Sequence, residues 1–379
     1  TDAYFDQIAK MNTLMMLHDK GFNVLDNVKK LMKMTNQEVY DYYDYLLNSI
    51  SLNTGHDSVI EDLVIDQAYI DKCDAGEEMG LNYGKVCHIL NYLTMGLPLG
   101  EMTMIGGHSG AGKSSFIFEC IVLPLVEQGI KVAIISNEQK IHSFQQLLLV
   151  HILTQDLDYW ELTRKKIKMG HFTDSQKEML ELARQISAEK YPNIKFVKLF
   201  DTDMAKTKKI IRKLAKLGYQ AAIYDTLKVE DTFDRSTWEQ LLIQSRQLFQ
   251  LGSKENIAVV TTFQLALSTL NKRWLDAGCL SNGKQVKEVY SEMIYLRQLW
   301  DDEYTGEKHD CKAYRLKRDG KLTKVKEMIT LDKDKKYLVA FLDKTRNDED
   351  KQTVLYEWNG RFNKWTELGY CTIYNDHAA

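Results

Sequence analysis

Proline is scarce in this sequence, with three residues in 379, so no Pro-rich linker divides it. The six cysteines (Cys73, Cys87, Cys120, Cys279, Cys311 and Cys371) are scattered and form no C-x-x-C pair. That spacing argues against a structural zinc site and for reduced thiols in a cytosol-like compartment. No apolar run reaches the roughly 20 residues of a membrane-spanning helix. No secretory pattern stands at the N-terminal end. The expectation is a cytoplasmic protein with no membrane partner. Strong net charge is also missing: the formal total is −3. The charge is uneven, however. Residues 1–75 hold 13 acidic and 6 basic side chains, a net of −7, which leaves 44 basic and 40 acidic in the remainder, a net of +4. A polyanion partner would meet the larger segment, through local loops or an oligomer's channel rather than bulk charge.

What is present is a composition 44% hydrophobic and 27% charged, suited to a globular protein. Its length allows two domains, or one with an appendage. One stretch carries a complete phosphate-binding pattern, G-x-x-x-x-G-K-[ST]: Gly107, His108, Ser109, Gly110, Ala111, Gly112, Lys113 and Ser114, followed by Ser115. Such a loop turns its backbone N–H groups inward around phosphates, and its glycines allow close approach. Lys113 can reach the β- and γ-phosphates, and the Ser114 hydroxyl can bind Mg²⁺. The context fits. Residues 102–105 read as a buried strand, and 115–127 as a helix whose N-terminus points at the phosphates. Pro124 should kink that helix or end it early.

Residues 1–55 show helical periodicity in Ile8, Met11, Leu14 and Met15, then Val28, Leu31 and Met32, and read as a small helical region. Residues 51–58 are polar and turn-rich. Residues 56–75 read as a linker helix with an apolar face of Ile60, Leu63, Val64 and Ile70. That face is either ordinary core or a docking surface for a neighbouring subunit. From 76 to 379 strands and helices alternate. Strands are expected at 131–136, 194–199, 220–225 and 257–262, and helices at 140–153, 174–189, 206–217 and 236–251. This is an α/β domain with a mostly parallel sheet. Turn signals at Arg318-Asp319-Gly320, Asp332-Lys333-Asp334 and Asn359-Gly360 predict antiparallel hairpins toward the C-terminal end.

Three strand tips carry polar groups suited to the phosphate loop's chemistry. Ala221–Asp225 is an apolar strand ending in an acid, which can order the water shell of Mg²⁺ or simply cap the strand. Glu138 follows strand 131–136 and can polarise an attacking water, or it is an acid at the start of the next helix. Gln264 follows strand 257–262 and can sense the γ-phosphate, or it is a surface amide. Residues 265–288 are poorly patterned and hold Asn271, Lys272, Arg273, Lys284 and Lys287. A long basic loop beside a nucleotide sensor suggests contact with a phosphate backbone.

In this order the motifs resemble the RecA-like ATPase domain of DnaB-type replicative helicases, over about residues 80–367. The similarity begins at Gly96-Leu97-Pro98-Leu99-Gly100-Glu101 and runs through the phosphate loop, Ser136-Asn137-Glu138, Asp225 and Gln264-Leu265. It ends at Lys344-Thr345-Arg346-Asn347, similar to the family's K-x-R-N segment. The resemblance implies a RecA-like P-loop core with antiparallel C-terminal hairpins. It also implies ATP and Mg²⁺ as cofactors, a homo-hexamer around single-stranded DNA, and replication proteins as partners, in a bacterial or virus-infected bacterial cell. Lys344 and Arg346 would then reach a neighbour's nucleotide. Asn271, Lys272, Arg273 and Lys284, with Lys228 in the loop 226–235, would face the DNA. The departures point to a divergent, viral-type member: His108 and Ser109 in the loop, Ser114 where Thr is usual, and a first 75 residues shorter than the family's N-terminal domain. Two other readings stay open. One is a RecA-like ATPase of recombination, repair or defence that binds DNA or protein without processive unwinding. The other is a nucleotide-dependent switch or scaffold.

Overall fold

A computed structural model describes residues 2–53, 63–76, 79–200, 203–227, 237–280, 283–318, 324–346 and 351–374. The chain forms two compact units, residues 1–72 and 73–379.

The first unit is helical. Helices Asp2–Asp19 and Asn36–Asn53 flank the short helix Val28–Leu31. Leu14, Val24, Leu31, Val39 and Tyr43 make its core. Thr35 and Glu38 start the second long helix reciprocally: the Glu38 N–H donates to Thr35 Oγ1 and the Thr35 N–H to Glu38 Oε2. The Lys10 ammonium donates to the carbonyls of Met32 and Met34, at 2.8 and 3.0 Å. The helix expected over 56–75 is shorter than its apolar pattern. Residues 63–66 are not helical, and the helix runs Gln67–Ala75. Asp66 caps its start, its carboxylate accepting the Tyr69 N–H at 2.8 Å. Ile60 lies outside the described residues.

The second unit is built on one sheet with strands β1 (Met102–Gly107), β2 (Val132–Ser136), β3 (Ile194–Lys198), β4 (Ala221–Asp225), β5 (Ala258–Gln264), β6 (Glu292–Gln298), β7 (Tyr314–Arg318), β8 (Lys324–Met328), β9 (Tyr337–Lys344), β10 (Gln352–Asn359) and β11 (Lys364–Tyr370). Their spatial order is β3-β2-β4-β5-β1-β6-β9-β10-β11-β7-β8. The first six in that order are parallel, and the antiparallel part begins where β9 meets β6. β1, β2 and β4 are buried along their whole length, which is why they read as unbroken apolar runs. Alternate side chains feed two cores. Ile105, Ile134, Ile223 and Val260 belong to one, and Met104, Ile135, Tyr224 and Val259 to the other.

The helix after the phosphate loop does not stop at Pro124. It runs α-helically from Lys113 to Ile117, widens into a π turn at Phe118–Val122 and resumes over Leu123–Glu127. The wide turn makes room for the proline ring, which in a regular helix would meet the carbonyl of Cys120. A helix that the sequence pattern did not announce, Arg164–Met169, starts at Thr163, whose hydroxyl accepts the Lys166 N–H.

Candidate active site

Parallel strands deliver their tips to one edge of the sheet, and four of those tips surround the phosphate loop. In register, Gly107 at the end of β1 faces Gln264 at the end of β5, and Ser136 at the end of β2 faces Asp225 at the end of β4. The loop between β1 and its helix needs left-handed backbone at Gly110 (φ +77) and Gly112 (φ +86), a region that glycine enters without steric cost. Its helix is held from behind. Phe116 packs edge-on against Tyr356 and Trp365, with ring centres 5.5 and 5.3 Å away.

A cleft of about 370 Å³ opens at this edge. Ser109, Gly110, Gly112, Lys113, Ser114, Ser115, Glu138, Asp225 and Gln264 all line it. Lys113 Nζ donates to the carbonyls of Gly107 and His108, at 2.8 and 2.9 Å. Its pKa is lowered by burial, against the opposing pull of Asp225 and Glu138. Ser114 Oγ donates to Asp225 Oδ2 at 3.1 Å. Asp225 is buried, which pushes its pKa up, while bonds from Thr262 (2.8 Å), Ser114 and Thr226 work the other way. Glu138 is exposed at the tip of β2 and accepts from Thr226 Oγ1 at 3.3 Å. A serine hydroxyl beside a buried carboxylate is a hard-oxygen pair, and it fits a Mg²⁺ ion that keeps most of its waters. Among the described residues, no cluster of three or more His, Cys, Asp or Glu offers a different metal site.

The side chains of three members of the loop are buried or engaged within the fold. The Ser115 hydroxyl is engaged by Asn363 and by Trp365 Nε1 (3.1 Å). His108 is buried, which lowers its pKa, and its Nε2 lies 2.9 Å from Thr269 Oγ1. Ala111 is buried. Several wall residues gave no signal in the sequence. Gln139 Nε2 donates to Ser114 Oγ at 2.7 Å, and its position beside Glu138 was the one available hint. Arg164, Lys168 and Trp358 also line the cleft, from a short helix and a late hairpin whose meeting no local pattern encodes.

The basic loop is less open than its composition suggests. The Arg273 guanidinium pairs with both carboxylate oxygens of Asp302, at 3.0 and 2.5 Å, and with Glu303 at 3.2 Å, and its side chain is 11% exposed. Arg273 is therefore engaged in the fold's own charge network. Lys287 is bound to Asp343. Asn271 is exposed and Lys272 half-buried. Lys284 falls in the first turn of the helix Gly283–Val289; Lys228 lies outside the described residues.

Lys344 and Arg346 stand at the other edge of the sheet. Lys344 pairs with Met293 at the start of β6, and its Nζ donates to the carbonyls of Lys287 and Tyr290, both at 2.6 Å. Arg346 Nη1 lies 3.0 Å from Glu101 Oε1. Glu101 immediately precedes β1, whereas the phosphate loop follows it. At about 3.3 Å per residue the six residues of β1 put roughly 20 Å between Arg346 and its own phosphate loop.

A phosphate loop, a strand-end acid beside its serine, and further polar tips along one parallel edge define a RecA-like P-loop nucleotide-binding domain. The family model for the DnaB-like helicase C terminal domain matches residues 85–277, and the chain belongs to that family. No curated protein matches it. Two similar solved structures share the fold. One, an ATPase domain, is 16% identical with a TM-score of 0.63, over 81% of this chain and 100% of that one. The other, a DnaB-like replicative helicase solved with regard to its interactions with primase, is 14% identical with a TM-score of 0.61, over 96% and 76%.

Proposed function

We propose that this protein hydrolyses ATP to drive translocation along single-stranded DNA, working as a homo-hexameric ring in replication. One observation carries the reading: Lys113, Ser114, Glu138, Asp225 and Gln264, far apart in sequence, line a single cleft. Lys113 exchanges its two loop carbonyls for β- and γ-phosphate oxygens. Ser114 and Asp225 hold Mg²⁺, which supplies charge neutralisation across those phosphates. Glu138 orients and deprotonates the attacking water. Gln264 registers the γ-phosphate and passes its state into 265–288, where Lys272 and Lys284, with Lys228 in the neighbouring loop, meet the DNA backbone. The roughly 20 Å that separate Arg346 from its own cleft favour its acting on a neighbour's nucleotide, with Lys344 beside it. The exposed residues Leu63, Val64, Ile65 and Ile70 suit docking on an adjacent subunit.

The test is ATPase rate with and without single-stranded DNA, alongside assembly mass. Wild type should be stimulated by DNA and form a ring. Lys113→Ala should lose turnover by at least about 10³-fold, since the charge developing on the phosphates is no longer neutralised. Near-normal turnover in the variant would remove this loop from the chemistry. Turnover in a ring that neither responds to DNA nor unwinds it would favour a RecA-like ATPase of recombination, repair or defence.

A further inference from the structure

The helix Arg164–Met169 plays no part in the chemistry described so far, yet it faces the nucleotide cleft. Arg164 and Lys168 line that cleft, and both also line a wider one of about 1140 Å³ that joins it. Their spacing of four residues puts them on one face of the helix.

Arg164 is unusual in its surroundings. Its Nε is buried and has no hydrogen-bond partner, and no hydrogen bond or ion pair engages its guanidinium among the described residues. Arg273 and Arg346, by contrast, each have a carboxylate. Burial disfavours its charged form, and a guanidinium stays protonated even so, so the fold carries a half-buried positive charge with nothing opposite it. The backbone at this position is fixed from both sides. The Arg164 N–H donates to the Arg361 carbonyl at 2.9 Å, and its carbonyl accepts from Gln146 Nε2 at 2.7 Å. A rigidly held, unpaired arginine is a pre-organised anion site, because its planar fork loses little entropy on binding. On the wall of the wider cleft Lys165, Lys335, Lys336 and Arg361 are cations, and Asp334 and Glu357 are the acids; neither acid forms an ion pair with Arg164. The carboxylate of Glu357 on the same wall is taken by Lys335 at 3.0 Å.

We infer that Arg164, with Lys168 beside it, binds the phosphates of the nucleotide held by the phosphate loop of its own chain, at the junction where the nucleotide leaves that loop for the wider cleft. The inference rests on the nucleotide reading of the cleft. It gives each subunit a cation in cis besides Lys113, distinct from Arg346 on the far edge.

Arg164→Met tests it, since methionine keeps the apolar stem and removes the charge. ATP affinity is measured with a fluorescent ATP analogue and Mg²⁺, and melting is followed with and without ATP. Affinity should fall at least about tenfold, the loss of a charge-assisted contact. The ATP-induced rise in melting temperature should shrink accordingly. The melting temperature without nucleotide should hold or rise, because an unpaired buried charge has been removed. Arg164→Lys should bind with intermediate affinity. Affinity within about twofold of wild type, or a lower melting temperature without nucleotide, would overturn the inference, the second by showing a structural role. Lys113→Ala separates the two levels. If it loses nucleotide while Arg164→Met does not, only this inference falls. If Lys113→Ala binds as wild type does, the nucleotide reading of the cleft falls with it.

Discussion

Lys113 and Asp225 face the same cleft, and burial moves both toward their neutral forms. Two desolvated partners of opposite charge become strongly attractive to a polyanion with its cation, because little water screens them. Glu138 differs in being exposed, and the proposed mechanism gives it the proton-handling role. Glu138→Gln keeps the shape and removes the base. Nucleotide binding should survive while turnover falls by about 10²- to 10⁴-fold; unchanged turnover would return Glu138 to a helix-start role. Arg273 is the opposite case, a residue whose composition suggested a ligand and whose geometry gives it to the fold. Arg273→Ala should destabilise the protein by about 2 kcal/mol in urea melts, the order of a lost hydrogen-bonded charge. It should leave the salt dependence of single-strand binding unaltered, while Lys272→Ala should make that dependence shallower by about one charge.

Among the elements, β6 carries a buried acid. Glu292, at its start, is wholly buried and accepts from Thr103 at 2.9 Å and Tyr83 at 3.2 Å. Burial pushes its pKa up to about 8. The folded protein therefore keeps a proton that the unfolded chain releases near the ordinary carboxylate pKa. Stability falls as pH rises between those two values and levels off above the upper one. Glu292→Gln removes this dependence. The variant's stability relative to wild type should climb by up to about 1.4 kcal/mol per pH unit from about pH 5 to 8. A difference flat across that range, in denaturant melts, would show that Glu292 is solvated. The elements around the cleft were legible because each is an apolar run ending in one polar residue, the pattern that a parallel buried strand imposes. The helix Arg164–Met169 was not, since six residues with four cations show no amphipathic period. The ion pairs of Arg273 were not legible, because its partners lie 29 and 30 positions further on. The π turn before Pro124 was hidden for a related reason: a local rule forbids the proline, and a local distortion accommodates it.

In the whole molecule, the trans role proposed for Arg346 predicts that assembly is a condition of turnover. Lys113→Ala and Arg346→Ala subunits should each be nearly inactive alone, an arginine finger being worth about 10³ or more in rate. Rings mixed from the two should recover ATPase activity at interfaces where an intact Lys113 meets an intact Arg346. No recovery in rings shown to have exchanged subunits would count against a shared site. The order of strands sets a second condition, on how the domain can be cut. The match to the family model ends at residue 277, yet β6, which flanks the phosphate-loop strand, begins at Glu292, and the aromatic support of the loop's helix comes from Tyr356 and Trp365. A fragment trimmed to the matched region would leave β1 as a bare sheet edge and its loop unbraced, because the border of the family-model match runs through the middle of a single compact unit.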